Sequence, residues 1–194
     1  MPDLAPLHPV SRLHLEELTD SVGIMQHAIG SRPDPAHGYC VDDVARAIQV
    51  DLLHASVVGW PAVAQTARQG MRFLDDAFDA DGGRFRNFRS IDGAWIGSLG
   101  SDDSYGRAML ALGDTIATSP DDELVDRAAT LLAKALPAAS GLTSPRAEAS
   151  VVLGCAAVLE SVPGGQPALM ITLLATRLLD GFRLRASSDW PWPE

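Results

Sequence analysis

Residues His37–Ala47 (HGYCVDDVARA) open a helix with two adjacent carboxylates and an arginine on its first turn. A related stretch follows at Gly100–Ala108 (GSDDSYGRA), so that Asp43 and Asp103 are 60 positions apart. The return of one kind of helix start at a long interval is typical of proteins built from repeated helical units. The two stretches therefore predict a helical array in which two helices begin alike.

Apolar residues recur at three- and four-residue steps along most of the chain, which indicates amphipathic helices. Prolines stand close to three of the predicted starts, where a proline fits best. Residues 79–102 form a long loop, with short strands flanking the turn pair Asp92-Gly93. The fold class is all-α, and residues 1–194 form a single domain. The pattern predicts about seven helices, over residues 11–29, 42–58, 61–78, 103–118, 121–136, 145–161 and 166–183.

These helices are expected to pair into antiparallel hairpins. Alternate helices of such an array run parallel, so the second, fourth and sixth helices would begin at the same rim. All three are rich in alanine and glycine, which lets helices pack closely. Glu194 would stand at that rim too, just before an eighth helix.

Composition and charge exclude several classes of protein. The net charge of −10 disfavours nucleic acid and anionic membrane surfaces as partners. No apolar run has the roughly 20 residues of a membrane span, and the first residues lack the pattern of a signal peptide. Cys40 and Cys155 are expected to be buried free thiols, which favours a cytoplasmic location.

The paired acids Asp42-Asp43 and Asp102-Asp103 have two explanations. Aspartate is a common helix N-cap, where its side chain accepts backbone N–H bonds. Two doubled acids on one rim also fit the paired carboxylates that cleave glycosidic bonds. Arg46 and Arg107 follow closely, either to hold the carboxylates in ion pairs or to keep one of them ionised in a sugar site.

Histidines and aromatic residues gather in the loops at the helix starts. His27 and His37 with Asp42 match no metal-ligand spacing, so no metal or cofactor is expected, and hydrogen bonding to a ligand or a loop is favoured. Aromatic rings in loops either stack on sugar faces or fill the interior. The aromatic residues concerned are Tyr39, Phe85, Phe88, Trp95, Tyr105, Trp190 and Trp192.

At this point the sequence resembles a family of bacterial (α/α)6-toroid, six-hairpin-glycosidase-like proteins, often described as glycosyltransferases or fused behind one. The likeness rests on Gln26-His27-Ala28, Pro33 and His37–Ala47, and then on Gly83–Phe88, Trp95 and Gly100–Gly113. The run Trp190–Glu194 resembles a later family motif. Val44 stands where the family often has asparagine, and Asp102–Tyr105 stands where it often has Glu-Asp-Ser-His.

The resemblance implies a carbohydrate-active toroid, of which this chain would be the N-terminal half. The expected function is glycosidase-like action on an oligosaccharide, with Asp43, Asp103 and Glu194 as catalytic carboxylates. The alternative is a non-catalytic, truncated toroid that binds a glycan or a partner protein such as a glycosyltransferase. A homodimer or a partner chain would then complete the ring. The residues expected to bind substrate are His37, Tyr39, Asp42, Arg46, Trp95, Asp102, Arg107, Trp190 and Trp192.

Overall fold

The computed structural model describes residues 11–187, and most of these residues are helical, as predicted. Within this range there are seven α-helices and six short strands. The helices are α1 (Leu13–Leu18), α2 (Val41–Val58), α3 (Trp60–Ala77), α4 (Asp102–Thr118), α5 (Asp122–Ala135), α6 (Pro145–Ser161) and α7 (Gly165–Arg185). The strands are β1 (Ala28–Ile29), β2 (Arg32–Pro33), β3 (Tyr39–Cys40), β4 (Phe78–Asp79), β5 (Arg84–Arg89) and β6 (Trp95–Leu99).

Helices α2, α4 and α6 lie side by side as an inner layer, and the order of their contacts shows that they run parallel. Arg107 of α4 pairs with Asp42 of α2, and seven residues further along each helix Gln49 donates to Asp114 at 2.6 Å. On the other flank of α4, Gly106 lies against Ala147 of α6 and Gly113 lies against Gly154. Their first turns therefore lie at one end of the layer, here called the rim.

Glycine makes the contact between α4 and α6 closer than the contact between α4 and α2. A Cβ added to Gly106 would lie 2.8 Å from Cα of Ala147, and a Cβ on Gly154 would lie 3.0 Å from Cα of Leu110. No side chain fits at such distances, so the glycines set the spacing of the two helices. This contact holds the starts of α4 and α6 in fixed relation.

Helices α3, α5 and α7 form the outer layer. Each inner helix is followed by an antiparallel outer helix, as the packing of Ile48 on Gly70 and the bond from Thr66 to Asp51 show for α2 and α3. The core between the layers is built from alanine, leucine and larger side chains such as Phe73. The opposite side of the inner layer has no helix over it among the described residues.

The predicted helix over residues 11–29 is wrong. It ends at Leu18, because the Asp20 carboxylate accepts the backbone N–H groups of Val22 and Gly23 and so competes with the helix. The chain then continues in extended conformation and pairs Met25 with Tyr39. The apolar residues of this segment pack on α2 and α3 although the segment is not helical.

The predicted loop at 79–102 contains a small antiparallel sheet. Strand β5 pairs with β3 and β4 on one side and with β6 on the other, and the β5–β6 turn contains Asp92-Gly93, as the sequence predicts. Strand β3 leads directly into α2, and the chain after β6 leads into α4. The sheet therefore connects the starts of two inner helices at the rim.

Candidate functional site

The paired acids at the rim are not helix caps. Cys40 is the N-cap of α2, and its side chain accepts no backbone N–H of the helix, whereas Ser101 caps α4 by accepting the N–H of Ser104. Asp42 and Asp43 occupy the first turn of α2 instead. Their carboxylates therefore do not cap the helix, and capping does not explain why two acids stand at the start of α2.

Asp42 is the carboxylate between two inner helices. Its Oδ2 lies 3.1 Å from Nη2 of Arg46, and its Oδ1 lies 3.6 Å from Nε of Arg107 on α4. This Oδ1 is buried and has no hydrogen-bond partner. Burial raises the pKa of Asp42, and the nearby charges of Asp43 and Asp103 raise it further against the opposing effect of the two arginines.

Asp103 is the most accessible carboxylate of the rim, whereas Asp43 is exposed to about the same extent as Asp42. Asp43 accepts the thiol of Cys40 at 3.1 Å and lies 3.4 Å from Nη1 of Arg46. Asp103 has 46% of its side chain exposed and lies 3.4 Å from Nη1 of Arg146. Arg146 was not among the predicted site residues, although its place two residues after Ser144, the cap of α6, indicates a further residue at the rim.

Asp102 is engaged by donors on every side. Its Oδ2 accepts the N–H groups of Thr143 and Ser144 at 2.8 and 3.1 Å, and its Oδ1 accepts Arg84 at 2.7 Å. Burial alone would raise the pKa of Asp102, but these bonds outweigh it and lower the pKa to about 2. Asp102 thus joins α4, β5 and the loop before α6, and has the geometry of a structural clamp.

Two aromatic residues that the sequence offered for substrate binding are packed into the protein. Tyr39 is 1% exposed, and its hydroxyl donates to Asp20. Trp95 packs edge-on against Phe73, with the guanidinium of Arg89 above its ring. Loop burial, the alternative for these aromatic residues, therefore describes Tyr39, whereas Trp95 is only partly buried.

Of the remaining predicted site residues, the two arginines contact the acids, the histidine contacts other groups, and three lie beyond the described range. His37 is exposed, and its ring contacts the ring of His27, while its Nε2 lies 3.6 Å from Asp34. Arg46 and Arg107 both contact Asp42, as described above. Trp190, Trp192 and Glu194 lie outside the described residues.

An exposed apolar pair of side chains lies on the sheet that connects the starts of α2 and α4. Phe88 of β5 and Ile96 of β6 are directly opposite in register, and 43% and 52% of their surfaces are exposed. Phe88 also pairs with Cys40, two residues before Asp42. A ring so close in sequence and pairing to the start of α2 is available to a ligand at the rim.

Within residues 11–187, no group of three histidine, cysteine, aspartate or glutamate side chains is placed to hold a metal ion. In the same range, none of the helices combines the length and apolarity that crossing a membrane requires. Both cysteines are buried and free, as predicted. No protein-family model matches the chain, and no curated protein matches it. The toroid family therefore stays a resemblance carried by the motifs of the sequence.

Proposed function

We propose that the chain is a carbohydrate-active, glycosidase-like protein that uses the rim carboxylates of its inner helices. The observation that supports this function most is the position of Asp42 between α2 and α4, with a raised pKa and a buried oxygen free of hydrogen bonds. Glycosidic cleavage needs one carboxyl group that keeps its proton and a second that acts at the anomeric carbon. The rim offers Asp42 for the first role.

In this mechanism the proton of Asp42 passes to the glycosidic oxygen as its bond to the anomeric carbon breaks. Asp103, whose charge acts on Asp42 from α4, is the second carboxylate: it either bonds to the anomeric carbon and is then displaced by water, or takes a proton from a water molecule whose oxygen bonds to that carbon. Asp43 stays a third candidate because it shares Arg46 with Asp42. The exposed ring of Phe88 offers a face for stacking on a sugar.

The toroid is part of the proposal. Three antiparallel hairpins with parallel inner helices support an arrangement in which this chain forms half of a six-hairpin (α/α)6 ring. The resemblance of His37–Ala47 and Gly100–Gly113 to the toroid family favours the same arrangement. A cytoplasmic location stays a prediction.

The test compares three rim variants with a distant one. Asp42→Asn, Asp43→Asn and Asp103→Asn are titrated with a panel of oligosaccharides, and the release of reducing ends is measured. Asp180→Asn on α7 is the control, because Asp180 is exposed and pairs only locally with Arg183 at 3.5 Å. We expect turnover to fall by at least about 100-fold in Asp42→Asn and Asp103→Asn, in line with the loss of general acid or base catalysis. Unchanged binding and turnover in all three rim variants would end the proposal.

A second candidate is a non-catalytic module completed by a second copy of this chain. The inner helices expose Leu53 and Val57 on α2 and Leu153 on α6. Exposed apolar patches are common at protein interfaces, and these side chains are the candidates for one. Light scattering coupled to size-exclusion chromatography would then show a dimer that Leu53→Asp dissociates, without turnover. A monomer that turns over an oligosaccharide would exclude this candidate.

A further inference from the structure

A cleft of about 230 Å³ lies between the N-terminal segment and α2, next to Asp43. One wall comes from the segment, with Leu15, Leu18 and Ile24. The other wall is a stripe of α2 that includes Asp43 and Val50. Residues spaced by three, four and seven positions share one side of a helix, so Asp43, Arg46, Ala47 and Val50 follow one another down this wall.

The two ends of the cleft differ in chemistry. At the rim end, Asp43 and Arg46 present a carboxylate and a guanidinium 3.4 Å apart. One to two helical turns further down, the α2 wall consists of Ala47 and Val50, opposite the leucines of the N-terminal segment. A ligand that matches both ends carries a polar group at the rim and an apolar group below it.

The volume indicates the size of the apolar group. An internal cavity of about 150 Å³ lined by apolar side chains is large enough to bind benzene. The cleft beside Asp43 is larger, at about 230 Å³, and it is open at the rim. An aryl ring or a short alkyl chain therefore fits within it.

We propose that this cleft is a subsite for the apolar aglycone of a glycoside, an aryl or short alkyl group, whose sugar lies at the rim. The inference rests on the proposed function, since the rim carboxylates are what would hold the sugar. It adds the class of substrate: a sugar joined to an apolar group, with the sugar at the rim carboxylates and the aglycone directed past Asp43 towards Val50.

The experiment uses methyl and hexyl glycosides of the same sugars, titrated calorimetrically into the full chain. Each methylene that leaves water strengthens binding by about fourfold when fully buried. We expect the hexyl glycoside to bind at least about tenfold more tightly than its methyl counterpart, which corresponds to partial burial of the chain.

Two matched variants locate the effect. Val50→Asp places a charge in the cleft, whereas Val57→Asp places the same charge two turns further along α2, outside the cleft. Both valines are exposed, at 39% and 68%, so neither change removes core packing. We expect Val50→Asp to abolish the preference for hexyl, and Val57→Asp to keep both that preference and the affinity for the methyl glycoside.

The outcomes separate this inference from the function on which it rests. Equal affinity for methyl and hexyl glycosides, or a preference that survives Val50→Asp, would overturn the subsite and leave the proposed function standing. If no glycoside binds, both fail, and 1-hexanol is then titrated alone. Binding of hexanol that Val50→Asp abolishes would show an apolar-group site without a sugar site.

Discussion

The starts of α2 and α4 have similar sequences but different chemistry. Each begins with two aspartates and has an arginine in its next turn. The first aspartate of α4, Asp102, is bonded by Thr143, Ser144 and Arg84, and its pKa falls to about 2. The first aspartate of α2, Asp42, has an oxygen without a hydrogen bond and a raised pKa. A repeated motif therefore fixes where the acids lie, but not what they do.

The difference arises from the loop before the next inner helix. The loop before α6 directs the backbone N–H groups of Thr143 and Ser144 at Asp102. In the equivalent loop before α4, the backbone N–H of Gly100 instead donates to the carbonyl of Phe85 at 2.7 Å. Among the described residues no backbone N–H donates to Asp42, and its charge is compensated by Arg46 and Arg107.

The contact between α4 and α6 also differs from the contact between α2 and α4. Glycine brings α4 and α6 together, whereas polar side chains join α2 and α4. We expect Gly113→Ala to lower the free energy of unfolding by about 3 kcal/mol, because the added methyl overlaps the backbone of Gly154. Gly141→Ala is the control, since a Cβ there meets nothing within 4 Å. Equal urea midpoints for both variants would show that the α4–α6 contact is not close.

Asp102→Asn and Asp42→Asn compare the two acids directly. Asp102→Asn removes the negative charge that accepts hydrogen bonds from Arg84, Thr143 and Ser144. We expect the free energy of unfolding in urea to fall by about 2 kcal/mol. Asparagine at 42 removes a charge that burial disfavours, so the stability should change by less than about 0.5 kcal/mol or rise. Equal losses at the two positions would contradict the assignment of clamp and proton holder.

The pH dependence of these two variants should have opposite sign. The pKa of Asp102 is lower in the folded state, so its contribution is present above the unfolded value of 3.8 and is lost as pH falls towards about 2. The deficit of Asp102→Asn relative to the wild type should shrink over that window. The pKa of Asp42 is raised, so the wild type should gain on Asp42→Asn as pH falls through the folded pKa. Urea midpoints from pH 6 downwards measure both trends, and parallel curves would contradict them.

The smallest effect is expected at the polar contact between α2 and α4. Gln49 donates to Asp114, whose pKa burial raises and this bond lowers. Gln49→Ala should raise the pKa of Asp114 further and cost about 1 kcal/mol in unfolding at neutral pH. A carboxyl titration followed by NMR measures the first effect, and an unchanged pKa would show that the bond does not form.

Much of the fold could be predicted because its helix boundaries carry local signals. Pro61, Ser119-Pro120 and Ser144-Pro145 mark starts that the structure places within one or two residues of prediction. The first helix was mispredicted because apolar spacing alone cannot show that Asp20 binds its own backbone. The sheet between α3 and α4 was predicted only at its Asp92-Gly93 turn, since β3 joins it from a distant part of the chain.

The sequence indicates where the acids of the site lie, but not which groups donate hydrogen bonds to them. The recurrence of the doubled acids correctly indicated one rim, which the pairing of Asp42 with Arg107 shows. Capping, the simpler explanation, fails because Cys40 and Ser101 occupy the N-cap positions. The difference between Asp42 and Asp102 depends on donors that lie about 40 residues away from Asp102, at Thr143 and Ser144. The sequence around Asp102 cannot indicate these donors, because they lie far from it along the chain.

The most direct test of whether α2 and α4 share one site is a measurement of the pKa of Asp42. NMR of its side-chain carboxyl carbon gives this pKa in the wild type and in Asp103→Asn. A site shared by α2 and α4 predicts a wild-type pKa above the ordinary aspartate value of about 3.9, because the carboxyl is buried and faces other acids. The value should fall in Asp103→Asn. A pKa at or below about 3.9, or one that Asp103→Asn leaves unchanged, would contradict the shared site.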